Sequence, residues 1–149
     1  MNELKRKKKF DLQKKIKSLK NISVKVGFPS ESQETESTDN EGVSALFKAT
    51  VNNFGIGIPK RPFVNIAFAK NKNNYTKIVK KQLSKLETVD YNRFINLLGV
   101  KAQGDVQKEI TALRSPPNSS VTAKIKGSSN PLIDSGHMLQ SVTFIVKAK

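Results

Sequence analysis

The chain has 149 residues, 36% of them apolar, with no cysteine and a single histidine. That length fits one ordinary domain, and the missing thiols exclude a disulfide framework, a thiolate nucleophile and a cysteine-built zinc site. The formal net charge of +15, from 27 basic and 12 acidic side chains, calls for an acidic partner, nucleic acid or an acidic protein face, and opposes self-association at low salt.

The chain opens MNELKRKKKF, and nine of its basic residues lie in positions 1–20. Leu4, Leu12, Ile16 and Leu19 share one face while lysines, Lys7, Lys8 and Lys9 among them, fill the others. That pattern predicts a basic amphipathic arm over residues 3–20. It is a solvated charged helix with one packed stripe, or an arm that lies on nucleic acid or an acidic neighbour. No apolar h-region follows the charges and no run is long enough to cross a bilayer, so the expectation is a protein made and kept inside a cell.

Ile22, Val24, Val26 and Phe28 then alternate with Ser23, Lys25 and Gly27, the period of a half-buried strand, and Pro29 stops it. Residues 29–41 form an acidic loop with Glu31, Glu34, Glu36, Asp39 and Glu41 and no base. A loop of this length in a small domain is usually functional or disordered. Val43, Leu46, Phe47, Val51 and Phe54 recur at helical spacing, with Gly55 as a C-terminal cap. After GIGIPKRP, Pro62 fits the first turn of a helix FVNIAFAK, with Phe63, Ile66 and Ala67 inward.

A separate helix is predicted on Tyr75, Ile78, Val79, Leu83 and Leu86. A third begins near Asp90, a suitable N-cap, and carries Phe94, Leu97, Leu98, Val106, Ile110 and Leu113. Gly99 and Gly104 weaken it by about 1 kcal/mol each against alanine and invite a bend. Residues 115–118, SPPN, end it, and Ser119 or Ser120 caps a short turn. Val142, Phe144 and Val146 alternate as a second strand, expected to pair with the first because neither is stable alone. The expected fold is α+β: a small antiparallel sheet from strands near both chain ends, covered by the central helices. Residues 1–20 form the arm and residues 21–149 the single domain.

Asp134, Ser135 and His137 are the residue types of a hydrolase triad, but they fall within four positions of one another. A working triad draws its members from distant parts of a chain, and Ser135 lacks the strand–turn–helix setting of a nucleophile elbow. Asp134 or Ser135 is read instead as the cap of a short turn anchored by Leu132, Ile133, Met138 and Leu139. GIGIP lacks the third glycine of a nucleotide loop and follows a helix. Asp105 and Glu109, four apart on a helix, are a weak cation pair and are read as solvated. No catalytic constellation, metal site or cofactor site is predicted. The charge also suits nonspecific nucleic-acid binding, although no helix-turn-helix, RNA-recognition or zinc signature occurs.

Two separated segments, taken together, resemble a known family. NNFGIGIPKRPFVNIAF, residues 52–68, is similar to the NEFG…IPaRPF segment of bacteriophage tail-completion and head–tail joining proteins. SPPNSSVTAKIKGSSNPLIDSGHMLQSVTFIV, residues 115–146, is similar to their C-terminal segment, with its PN, T and PLiDTG elements. Order and spacing agree, and the resemblance covers roughly residues 20–148. Asn53 stands where the family often has Glu, Lys60 where a small residue is frequent, and Ser135 where Thr is common. The arm and the acidic loop lie outside both motifs.

The resemblance implies a structural virion protein: a homo-oligomeric ring in the neck or tail terminator that joins the tail tube to the head, with a hexamer as one candidate closure. Its implied partners are other neck, connector and tail-tube proteins, with nonspecific contact to genomic DNA, no membrane and no cofactor. Under it, Arg61, between two prolines, offers a bidentate contact to a neighbour's carboxylate, with Phe63 beneath. The alternative makes Pro59, Pro62 and Phe63 a fold-stabilising corner. Asp134 and Ser135 form a tight turn first and a contact surface second. The acidic loop of one subunit would meet a basic face, such as Lys7, Lys8 and Lys9, on the next.

Overall fold

Two strands far apart in sequence hold the chain ends together. β1 (Ile22–Gly27) and β2 (Thr143–Ala148) pair antiparallel, with Val24 opposite Val146 and Val26 opposite Phe144. The computed structural model describes residues 21–30, 38–39, 41–85 and 90–148, and positions 10, 11, 13, 14, 16 and 17 of the arm, which are helical. The rest of the predicted arm, most of the acidic loop and Leu86 lie outside the described residues.

Five helices follow β1 among the described residues: α1 (Ala45–Phe54), α2 (Phe63–Leu83), α3 (Tyr91–Ala112), α4 (Ser120–Lys126) and α5 (His137–Gln140). The architecture is α+β, a two-stranded antiparallel ribbon from both ends of the chain with helices between. A lone ribbon is marginal in water, and this one lies on α3. Gly99 of α3 makes the approach possible: a Cβ there would stand 2.2 Å from Cδ2 of Phe144. The glycine read as a weak point of the helix is the seat of a strand side chain.

Ser44 caps α1, its hydroxyl accepting the Phe47 N–H at 3.2 Å, and Gly55 ends the helix in the left-handed region at φ 77°. Asp90 caps α3 by accepting the Arg93 N–H. Ser119 caps α4. The expected break near residues 70–75 is absent, and α2 is one helix of 21 residues. Its polar middle, KNKNN, has low helix propensity but holds no breaker. Asn71 and Thr76 return their side chains to the carbonyls of Ala67 and Lys72.

The core is centred on Phe63, Val106, Ile110 and Val142, all essentially sealed from solvent. Phe28 meets Phe63 edge to face, ring centroids 6.2 Å apart. Burying each such side chain contributes about 1.5–3 kcal/mol. Helical periodicity located α1 and α3 but not their buried faces. α1 buries Ala45, Ala49 and Asn53, while Phe47 and Phe54 stay 61% and 64% exposed. α3 buries Ile95, Gly99, Ala102, Val106 and Ile110 and leaves Leu97 outside. Small residues let these helices pack close, which leaves the bulky ones at the margin.

α2 and α3 are further joined by polar pairs. Lys70 reaches Glu109 at 2.7 Å and the Tyr75 hydroxyl donates to Asp105 at 2.7 Å. Lys101 pairs with Asp105 on α3. Burial, reinforced by the hydrogen bond to Asp105, raises the Tyr75 phenol above its ordinary value. Asp105 and Glu109 are therefore not the solvated pair expected: Glu109 is buried, and both carboxylates are engaged within the chain.

Candidate functional site

The loop between α1 and α2 carries Arg61 into the interior. Its backbone N–H donates to the Asn52 carbonyl at 2.8 Å, and its side chain is 3% exposed. Nε donates to the Pro116 carbonyl at 2.9 Å, Nη1 to Asn52 Oδ1 at 3.0 Å, and Nη2 to the Pro117 carbonyl and Asn118 Oδ1 at 3.2 and 3.1 Å. A planar fork with fixed donors suits several oxygens at once, which a lysine could not reproduce. Burial lowers the guanidinium's pKa from its ordinary value. Its partners here are neutral oxygens.

This geometry corrects one expectation. The Arg61 donors are taken up inside the subunit and Phe63 is fully buried, so neither side chain offers itself to a neighbour as the resemblance implied. The corner alternative describes them. Arg61 is also where residues 52–68 meet residues 115–118, so the two resembling segments are one unit in space.

Asparagines complete the unit. Asn53 Oδ1 accepts the Val64 N–H at 3.4 Å in the first turn of α2, a donor no helix satisfies by itself. Asn130, 7% exposed, donates to the carbonyls of Ile110 and Thr111 at the end of α3 and accepts the Leu132 N–H at 2.8 Å. Gln103 and Gln107 of α3 donate to the carbonyls of Val142 and Leu139. α3 thus holds the whole run from Asn130 to β2 by its backbone.

Beside the corner lies a polar cleft of about 570 Å³, bordered by Asp39, Glu41, Lys126, Asp134, Ser135 and His137. A smaller hollow of about 160 Å³ shares Lys126, Asp134, Ser135 and His137 and adds Lys48 and Asn52. Four predicted site residues, Asp39, Glu41, Asp134 and Ser135, therefore face one space. Glu31, Glu34, Glu36, Lys7, Lys8 and Lys9 lie outside the described residues.

Asp39 anchors the cleft wall from within its own chain. It pairs with the Lys48 ammonium, and its Oδ1 accepts the N–H groups of Glu41 and Val43 at 3.0 and 2.9 Å. The Lys48 hydrogen bond first, then the Val43 N–H, pulls its carboxyl down to about 2. An inter-subunit role for Asp39 gives way to this anchoring one. Glu41, Asp134 and Ser135 remain exposed.

Opposite Asp39, burial lowers the Lys126 ammonium's pKa, the Asp134 carboxylate opposes that shift, and the positive charges of Arg61 and Lys48 add to it. Gly136, at φ 82°, is the N-cap of α5, and Ser135 Oγ accepts the His137 N–H at 3.4 Å. Leu132 and Met138 are buried, and Ile133 and Leu139 pack against the core. The Asp134–His137 stretch is thus built as an anchored turn whose acidic and hydroxyl groups project into the cleft. Among the described residues no group of three or more His, Cys, Asp or Glu side chains could hold a metal ion.

The sequence reading missed Lys48, Asn52, Asn53, Asn118, Lys126 and Asn130. A usable signal was the placing of Asn beside turn residues at segment ends, where orphaned backbone groups need partners. No protein-family model matches the chain, and no curated protein or solved structure matches it significantly.

Proposed function

We propose that the protein is a structural virion component of a tailed bacteriophage, a ring-forming part of the head–tail connection that joins the tail tube to the head. One observation carries the reading: the segments that resemble head–tail joining proteins, residues 52–68 and 115–146, converge on Arg61 and are bonded through it. Shared motifs that pack as one corner behave as a single inherited unit. The exposed Glu41, Asp134 and Ser135 beside it are then surface for neighbouring subunits or neck proteins. No helix among the described residues is long and apolar enough to cross a membrane.

A second reading, a basic protein that binds nucleic acid without sequence preference, is supported by the net charge of +15. The two differ in salt response. Phosphate-driven binding weakens steeply with salt, with a logarithmic slope of about −0.9 per phosphate neutralised on duplex DNA. The test is co-sedimentation of the purified chain with isolated tail tubes, and separately with duplex DNA, at rising salt. Joining to the tube end should survive salt that abolishes DNA binding. Retention on DNA alone supports the second reading.

A further inference from the structure

Two apolar surfaces lie at opposite ends of the molecule, and neither belongs to the corner or the cleft. At the first, Phe47 and Phe54 stand two turns apart on the outer face of α1, 61% and 64% exposed, and Ile56 and Ile58 continue the patch at 58% and 38%. Together they present on the order of 400 Å² of apolar surface, the size at which a patch on a monomer is often functional. At the second, a groove of about 560 Å³ runs between β1, the end of α2 and the start of α3. Ile22, Val24, Leu83, Phe94 and Leu98 line it, and Ile16 of the arm borders it. Clefts of this volume take drug-sized groups, which is ample for two phenyl rings. α2 separates the two surfaces: its first turn is bonded to Asn53 of α1, and Leu83 ends it about 28 Å further on at 1.5 Å per residue.

We infer that copies of this chain associate head to tail, the Phe47–Phe54 face of one seating in the β1–α2–α3 groove of the next. Charge favours this pairing over a face-to-face dimer. Glu41 is exposed at the α1 end, where the acidic segment also rejoins the described chain. Lys80 and Lys81 lie in the last turn of α2 at the groove end. Head-to-tail contact sets acid against base, whereas α1 against α1 sets acid against acid. Area agrees: the patch and its covering groove bury about 800 Å² of apolar core, roughly half of a standard interface, and the charged rims supply the remainder. Two different surfaces in contact are the heterologous arrangement that closes into a ring when the rotation allows. The closure rests on the ring reading above; the contact itself does not.

The chain has no cysteine, so single thiols report the contact cleanly. Phe54→Cys and Leu83→Cys alter positions 64% and 42% exposed, and urea unfolding checks that each variant keeps its stability. At about 0.5 M salt, where surface repulsion is screened, the two single variants mixed should form a disulfide dimer at least about tenfold faster than either alone. Equal rates, faster F54C homodimers, or no cross-linking at all overturns the contact; the chain's own arm seated in the groove would give the last result. The double variant separates the contact from the ring. A closed product of one size supports both, while an open ladder supports the contact and sinks the ring. Rings imaged for a chain that does not cross-link in the mixture sink the contact and leave the ring standing.

Discussion

The two ends of α2 are built differently. At its start, Arg61, Asn52, Asn53, Asn118 and the nearby backbone carbonyls satisfy one another over short distances, and Phe63 is sealed beneath them. At its end, Leu83 is 42% exposed and faces an open apolar groove. Directional bonds fix a geometry that apolar contact alone does not, so the first end is specified within one chain. The second end leaves surface whose burial would need another molecule.

Mutations at the two ends should separate accordingly. Phe63→Ala should cost about 3–5 kcal/mol in urea unfolding, while Leu83→Ala should cost well under half of that because its side chain already meets solvent. Equal losses would erase the contrast. Arg61→Lys keeps the charge but leaves buried oxygens without donors, and a cost of about 1–3 kcal/mol is expected. A neutral result would mean that the corner is not held by the fork.

Gly99→Ala sharpens the role of close approach. In an open helix it would gain up to about 1 kcal/mol; here the new Cβ meets the Phe144 ring, and a loss of about 1–3 kcal/mol is expected in thermal unfolding. A gain would show that the ribbon can move away from α3.

Asp39 gives a pH-dependent test. Its folded carboxyl lies at about 2, below its ordinary 3.8, so its stabilising effect is complete above about pH 4 and is lost as pH falls toward 2. Amide exchange at Glu41 and Val43 should rise across that window in the native chain. Asp39→Asn should flatten the rise. The smallest effect is expected at Phe54→Ser, within about 0.5 kcal/mol of native stability, although the same change should weaken self-association.

Local signals made much of this fold legible. The alternation of Ile22, Val24 and Val26 and of Phe144 and Val146 located the ribbon, and Ser44, Gly55, Asp90 and Ser119 bounded the helices. The faces of α1 and α3 were not legible, because alanine and glycine carry little hydrophobic signal yet decide how near two backbones can come. The single long α2 was missed because weak propensity in KNKNN was read as a break. The cleft joins residues about a hundred positions apart, and no local pattern announces such a meeting. Arg61 was singled out correctly as held between prolines, but its direction, inward rather than outward, depends on a loop more than fifty residues away.

The most direct test of the proposed role is the mass of the purified chain by light scattering, with negative-stain imaging of the same sample across a salt series and with added tail tubes. The account predicts closed rings of one size, free at moderate salt or seated on tube ends. A chain that stays monomeric with and without tubes, and binds DNA with a steep salt slope, would contradict it.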